Sequence, residues 1–435
     1  MKKTALYILL SALIFTACRK DKMTGNEVEK SFPVPQESLD SFIQIMSAAP
    51  DGWEGWLTPQ GAQIFHVYFQ LDNNQVTLYT DQNEDAASKP SKTSYTLGIS
   101  GSVNPTLSFG NGSLLQHIVL NSKRGVDTAY AFRYAAGDTV VLLGNRYGDE
   151  LKLVKASSQT KAAITTGKLS SSIADISTFL QQANFMAIYP GKDSVLVLMS
   201  ESIRFFGFYI VNSGLSLDKS LTDFAYTLNG IRLRRPLTVA GQAVSEILWD
   251  EAKEGLYVQI GSEKVYVMYK RLPVTPLHYL LGNDFPGVIS AVTPLYEDLP
   301  GWSSTFMNMW IQTHNDLSDN GFLLYTMEFV FLTATNQLNL NMYIAEGNDL
   351  YRATYPYKYT KSATGVYTFV PQPTSGNAAY FAPLVTNFTN LVSQNHFTVD
   401  YYDDVAGQQL LGKLICVENP AIYCTGFFGS YADPQ

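Results

Sequence analysis

The feature that most limits what this chain can fold into is a recurrence of short apolar and aromatic runs closed by Asn, Asp, Gly or Pro. Ile64–Leu71 and Gln75–Asp81 are the clearest pair, joined at Asp72-Asn73-Asn74, a sequence suited to a tight hairpin. Thr93–Ile99, Pro105–Phe109, Ala129–Tyr134, Thr139–Leu143 and Leu151–Lys155 continue the series, with breaks such as Ala136-Gly137-Asp138 and Tyr147-Gly148-Asp149. Strands this short, separated by polar turns, predict an antiparallel barrel or sandwich. Composition agrees: aromatics reach 13% with 27 Tyr, while charged residues are only 16%, a balance that favours pleated, half-buried surfaces. The expected fold class is mainly β, in two or three antiparallel meander domains, barrel-like or sandwich, with a few short helices. A calycin-like barrel is the preferred form of the first block.

The chain divides at its changes of pattern. Leu39, Phe42, Ile43, Met46 and Ala49 recur at helical spacing, and Pro50-Asp51-Gly52 stops the helix before Trp53. This opens a first β domain, 36–156. The small, polar, Ser/Thr-rich stretch 157–172 is expected to be a linker. A second β domain, 173–275, begins with a short helix and ends near Pro273 and Pro276. The third, 276–435, repeats the opening: Val288–Glu297 precedes Pro300-Gly301-Trp302 as the first helix precedes Gly52-Trp53. Long strands are expected at Ser304–Gln312, Phe322–Leu332 and Gln337–Ile344, and a helix at Tyr380–Ser393.

The N-terminus carries an address. Lys2 and Lys3 precede an apolar run, Ala5 to Phe15, that is too short for the roughly 20 residues of a spanning helix. Thr16-Ala17-Cys18 then sets two small residues before a thiol, as a lipoprotein peptidase requires. Residues 1–17 are read as a signal peptide, Cys18 as the lipidated residue, and 18–35 as a polar tether. The body is expected outside the cytoplasm, held at a membrane by the lipid.

No catalytic motif stands out. Net charge is −8 with scattered basic residues, which argues against nucleic acid as a partner. The histidines, His66, His117, His278, His314 and His396, lack zinc-site spacing, and Asp81–Asp85 lacks the Gly and Glu of a calcium loop, so no metal or cofactor is expected. Glu54, Glu201, Glu246, Glu297 and Glu328 are available to a glycosidase, but no pair is singled out. Cys416 and Cys424 flank an Asn-Pro turn and could meet in a disulfide if the hairpin register brought them together. Trp53, Trp56, Trp302 and Trp310 are the candidates for stacking on a ligand, with plugging the open end of a barrel or covering a core as the competing role.

The helix ending in Pro50-Asp51-Gly52-Trp53, the meander 64–81, Ser94-Tyr95-Thr96-Leu97, Pro105–Phe109 and the segment 137–156 together resemble a family of Bacteroidota surface lipoproteins whose domain has no assigned function. Members are typically encoded beside paired outer-membrane importers and glycan-binding lipoproteins. The resemblance implies an outer-membrane role in nutrient capture, lipid-anchored and facing the cell exterior. With the anchor, the tether, the aromatic-rich β body and the absence of catalytic motifs, the expectation is a non-catalytic accessory module that meets a glycan, a peptide or an outer-membrane transporter. The rival expectations are a hydrolase with convergent carboxylates and a carrier holding a small apolar ligand inside a hollow barrel.

Overall fold

A computed structural model describes residues 35–61, 63–99, 104–182, 184–291 and 299–430. The signal peptide 1–17, the Cys18 anchor, the tether up to residue 34 and Glu297 lie outside them. Three β units follow one another along the chain.

The first is a closed eight-stranded antiparallel barrel. Its strands are β1 (Trp53–Thr58), β2 (Phe65–Asp72), β3 (Gln75–Thr80), β4 (Ser91–Ile99), β5 (Pro105–Phe109), β6 (Ala129–Ala136), β7 (Thr139–Gly144) and β8 (Glu150–Lys155). Each pairs with its neighbour in sequence, and β1 closes onto β8. Asn73 and Asn74 both take positive φ, +46° and +65°, in the two-residue turn between β2 and β3. The closing seam needs a glycine: a Cβ at Gly55 would lie 2.6 Å from Leu153 Cδ2 and 2.8 Å from Lys152 O. Helix α1 (Pro35–Ser47) drops Phe42 and Met46 into this core, and Trp53 Nε1 donates to Met46 O at 3.1 Å.

The stretch expected to be a linker is helical instead. After α2 (Glu84–Ser88) in the barrel come α3 (Ser158–Thr165) and α4 (Lys168–Gln181). Ser157 caps α3 by accepting from Thr160 N, and Leu169, Ile173, Ile176 and Phe179 form a buried stripe through the Ser-rich run. Around α4 wraps a nine-stranded antiparallel sheet. It comprises β9 (Phe185–Ile188), β10 (Val195–Ser200), β11 (Phe205–Val211), β12 (Leu217–Thr227), β13 (Gly230–Val239), β14 (Gln242–Asp250), β15 (Gly255–Ile260), β16 (Glu263–Tyr266) and β17 (Met268–Lys270). Its two outermost strands are halves of one segment. β16 pairs with β15 and β17 pairs with β9, with only Val267 between them, so the sheet folds round the helix and closes on itself.

The barrel and this sheet share a core, because Tyr68, Tyr79 and Ala87 pack into the cluster built on α4. Between them Asp81, fully buried, accepts from His66 N (3.0 Å), Tyr226 N (2.7 Å) and Arg204 Nη1 (2.8 Å). A boundary at 157–172 therefore separates strands, not independently packed bodies.

The third unit is a second closed eight-stranded barrel. After α5 (Leu277–Leu280), its strands are β18 (Val288–Ser290), β19 (Leu323–Leu332), β20 (Gln337–Glu346), β21 (Asp349–Lys361), β22 (Tyr367–Pro371), β23 (His396–Asp404), β24 (Gln409–Cys416) and β25 (Tyr423–Phe428). The expected strand Ser304–Gln312 is helix α6 (Ser304–Ser318). Ser303 caps it, and Phe306, Trp310, Thr313 and Leu317 are buried at helical spacing. The expected helix near 380–393 is broken at Pro383 into α7 (Asn377–Phe381) and α8 (Thr386–Gln394), with a 3-10 turn between.

Both barrels carry a left-handed glycine before a tryptophan, Gly52 at φ +86° and Gly301 at φ +87°. The element order differs, however: the helix precedes the first strand in one barrel and follows it in the other. Val288–Ser290, where the sequence repeat places a helix, is strand. The disulfide is not formed either. Cys416 and Cys424 are free and buried, because the hairpin register sets Cys424 across from Leu414 and bonds Cys416 N to Ile422 O. The thiols sit on a diagonal of the same face, beyond the separation a disulfide spans.

Candidate functional site

The four tryptophans singled out by sequence lie in two separate places, Trp53 and Trp56 on opposite faces of β1, and Trp302 against Trp310 at 5.6 Å in the second barrel. Trp53 is 1% exposed and points into the first barrel with Leu57. Trp56 faces outward from the same strand. There it stacks on His66 at 4.7 Å, and the guanidinium of Arg232 lies 4.6 Å from its ring centre. Beside it His66 Nε2 lies 2.9 Å from Glu54 Oε1. Burial pushes the Glu54 carboxyl up, but the His66 bond and the charges of His66 and Arg232 outweigh it and hold the group low. In the second barrel Trp302 meets Phe306 edge-on, and its Nε1 donates to Thr425 O at 2.9 Å. Trp310 is buried behind it.

The carboxylates are equally dispersed. Glu54 is tied to His66, Glu246 is exposed on β14, and Glu328 is buried in the second barrel beside Ser290 and Ser430. Glu201 accepts from Ser177 Oγ and Tyr226 OH, both at 2.6 Å, in a 570 Å³ hollow that Glu84 and Asp85 also line. Residues 84–88 form a helix capped by Asn83 rather than a cation loop. Among the described residues no cluster of His, Cys, Asp and Glu is placed to hold a metal, and no helix is long and apolar enough to cross a membrane. The interior of the second barrel is filled with rings: Phe331, Tyr359, Tyr367 and Phe369 lie within 5.3 to 6.3 Å of one another.

The fifth tryptophan, which sequence reasoning passed over, is differently placed. Trp249 lies on β14, on the same face as buried Ile247 but at the rim, where the sheet no longer covers it fully. Phe179, in the last turn of α4, meets it edge-on at 6.0 Å. On the other side of Phe179 stands Tyr269, at 4.6 Å, carried there by the segment that closes the sheet. Its hydroxyl donates to Phe179 O at 3.1 Å, and the ring remains 40% exposed. Burial raises its phenol above the usual range, so the group is a hydrogen-bonding hydroxyl at neutral pH.

These three rings open onto a groove of 530 Å³ whose other walls include Asp175, Gln182 and Glu254. The turn after Trp249 is held firmly. Asp250 accepts from Lys264 Nζ (2.8 Å) and Tyr266 OH (2.7 Å), which keep its carboxyl at about 2. A clue was present in the sequence, since Trp249 ends a strand and runs directly into the charged turn Asp250–Glu254. Chemically the arrangement offers apolar ring surface flanked by hydroxyl, amide and carboxylate groups, with no nucleophile and base in hydrogen-bond contact.

Residues 35–251 carry a domain of unknown function, DUF4302. It takes in the first barrel and the middle sheet as far as the turn after β14. Trp249 and Phe179 therefore fall inside the match and Tyr269 outside it. No curated protein matches the chain.

Proposed function

We propose that this protein is a non-catalytic glycan-capture lipoprotein of the outer membrane. In this reading it is anchored through Cys18 and presented to the cell exterior beside an uptake system of the importer and glycan-binder type. The observation that carries the binding role is the groove at Trp249, Phe179 and Tyr269. Sugar rings offer one apolar face of C–H groups and a rim of hydroxyls, and this groove sets part-exposed aromatic rings beside Gln182, Thr178 and carboxylates. The anchor rests on the small-small-Cys sequence after the apolar run.

The test is thermal-shift and titration screening of the body from Ser31 onward against neutral oligosaccharides and peptides, with Trp249→Ala beside the native chain. A glycan at 100 times its dissociation constant adds about 2.7 kcal/mol of stability. Loss of an aromatic anchor worth about 2 kcal/mol weakens binding roughly 30-fold. A glycan that binds Trp249→Ala as well as the native chain, or a panel in which no glycan binds, refutes the reading. Fractionation of cells making Cys18→Ala tests the anchor, which predicts release from the membrane.

A further inference from the structure

We infer that Asp175 and Glu254 make the groove selective, admitting glycans that are neutral or basic and excluding those that carry carboxylate or sulfate. This deepens the glycan reading above and rests on it.

The walls carry three carboxylates, Asp175, Glu251 and Glu254, against one ammonium, Lys253. Not all of these charges are free to act on a ligand. Glu251 is ion-paired with Lys168 of α4. Lys253 is drawn aside, its Nζ 4.9 Å over the ring of Tyr266, in the group where Asp250 already holds Lys264. Asp175 and Glu254 have no cationic partner among the described residues, and their charge is left facing the groove. Asp175 is half-buried on α4, one turn before Phe179, so it stands beside the ring that Trp249 and Tyr269 both touch. Glu254 comes from the turn between β14 and β15, lines the same groove, and adopts φ +48°, a left-handed conformation at the tight entry into β15. A sugar lying on the rings thus shares the groove with both carboxylates.

For a neutral sugar these carboxylates are acceptors for hydroxyl pairs, and for a protonated amino sugar they are also counter-charges. For a uronate or sulfate ester the same groups are like charges at close range, in a groove whose walls exclude part of the water. Like-charge juxtaposition of this kind is how a site rejects a ligand that otherwise fits. The net charge of −8 adds a long-range field of the same sign.

The experiment uses pairs matched but for the charged group: galacturonan oligomers against their methyl esters, sulfated against desulfated keratan oligomers, whose backbone has no uronate, and N-acetylglucosamine oligomers against their de-N-acetylated forms. Titration against the full body is carried out at about 20 mM and about 500 mM salt, where the Debye length falls from roughly 20 Å to a few Å. The inference expects each uncharged member to bind about tenfold or more tighter than its acid at low salt, with the gap narrowing at high salt. It expects the de-N-acetylated amino sugar to bind at least as well as the acetylated one. Asp175→Asn with Glu254→Gln should close most of the gap, read as the ratio of acid to ester affinity within the same variant, and melting curves confirm the fold of the variant. Acids that bind as tightly as their esters, or a gap that persists in the double variant, overturn the inference and leave the glycan reading standing. Failure of every member in every charge form refutes the glycan reading itself, and the selectivity falls with it.

Discussion

Arg204→Met tests whether the first barrel and the middle sheet are held together by one buried ion pair. Asp81 is 0% exposed and Arg204 6%, and the guanidinium donates to both the side chain and the main-chain carbonyl of Asp81. The guanidinium also lies 4.7 Å from the ring centre of Phe65 and 5.4 Å from that of Tyr226. Methionine keeps most of the stem packing but leaves the Asp81 carboxylate inside the protein with two backbone N–H donors and no counter-charge. Breaking a buried pair from one side costs about 3–5 kcal/mol, and the lost ring contacts add about 1 kcal/mol. Against a typical total of about 5–15 kcal/mol this is a large fraction. Asp81→Asn should cost as much, because its amide turns one oxygen into a donor facing His66 N or Tyr226 N. The double variant should lose less than the sum of the two, since neither charge is then stranded. Urea unfolding followed by far-ultraviolet circular dichroism reads all three. A loss below about 1 kcal/mol for Arg204→Met, or strict additivity in the double variant, would refute the reasoning.

Two further outcomes follow from the same packing. Trp53→Ala should destabilise the first barrel by about 3–5 kcal/mol through the cavity it leaves and the lost bond to Met46 O, yet leave glycan affinity unchanged; a selective loss of binding with stability intact would place the site at the barrel end instead. His278 is held at about 4, below the ordinary 6.5, first by burial and then by the charge of Lys361. The unfolded chain therefore takes up a proton that the folded one refuses as pH falls from about 6.5 to 4. Stability should drop across that window, by about 1–2 kcal/mol after allowance for partial exposure, and level off below it. His278→Gln should flatten this slope, and an unchanged slope in urea titrations at several pH values counts against the assignment.

The fold class and the local parts of this fold were readable, and the pairings that close its sheets were not. Alternation gave the strands of the first barrel to within a residue or two, as at Glu150–Lys155, where Leu151 and Leu153 are buried and Lys152 and Val154 exposed. Closure depends on β1 meeting β8 and on β16 and β17 joining opposite edges of a sheet, contacts that no local pattern encodes. Ser304–Gln312 was misread because Phe306 and Trp310 suit a strand by type, whereas their spacing of four, continued by Leu317, suits a helix. The disulfide failed on register alone, a matter settled by the turn between Cys416 and Ile422.

The site shows the same division. WEGWLT alternates, so Trp53 and Leu57 had to share the buried face and could not both line a core and greet a ligand. Gly52 before Trp53 marked a sharp turn into a barrel, which is a packing signal. Trp249 carried no such mark, yet its ring lines a groove beside the charged turn that follows it. What separates a binding aromatic from a core aromatic is the solvent left around it, and that is decided by which edge of the sheet the chain brings over Phe179 and which it leaves open.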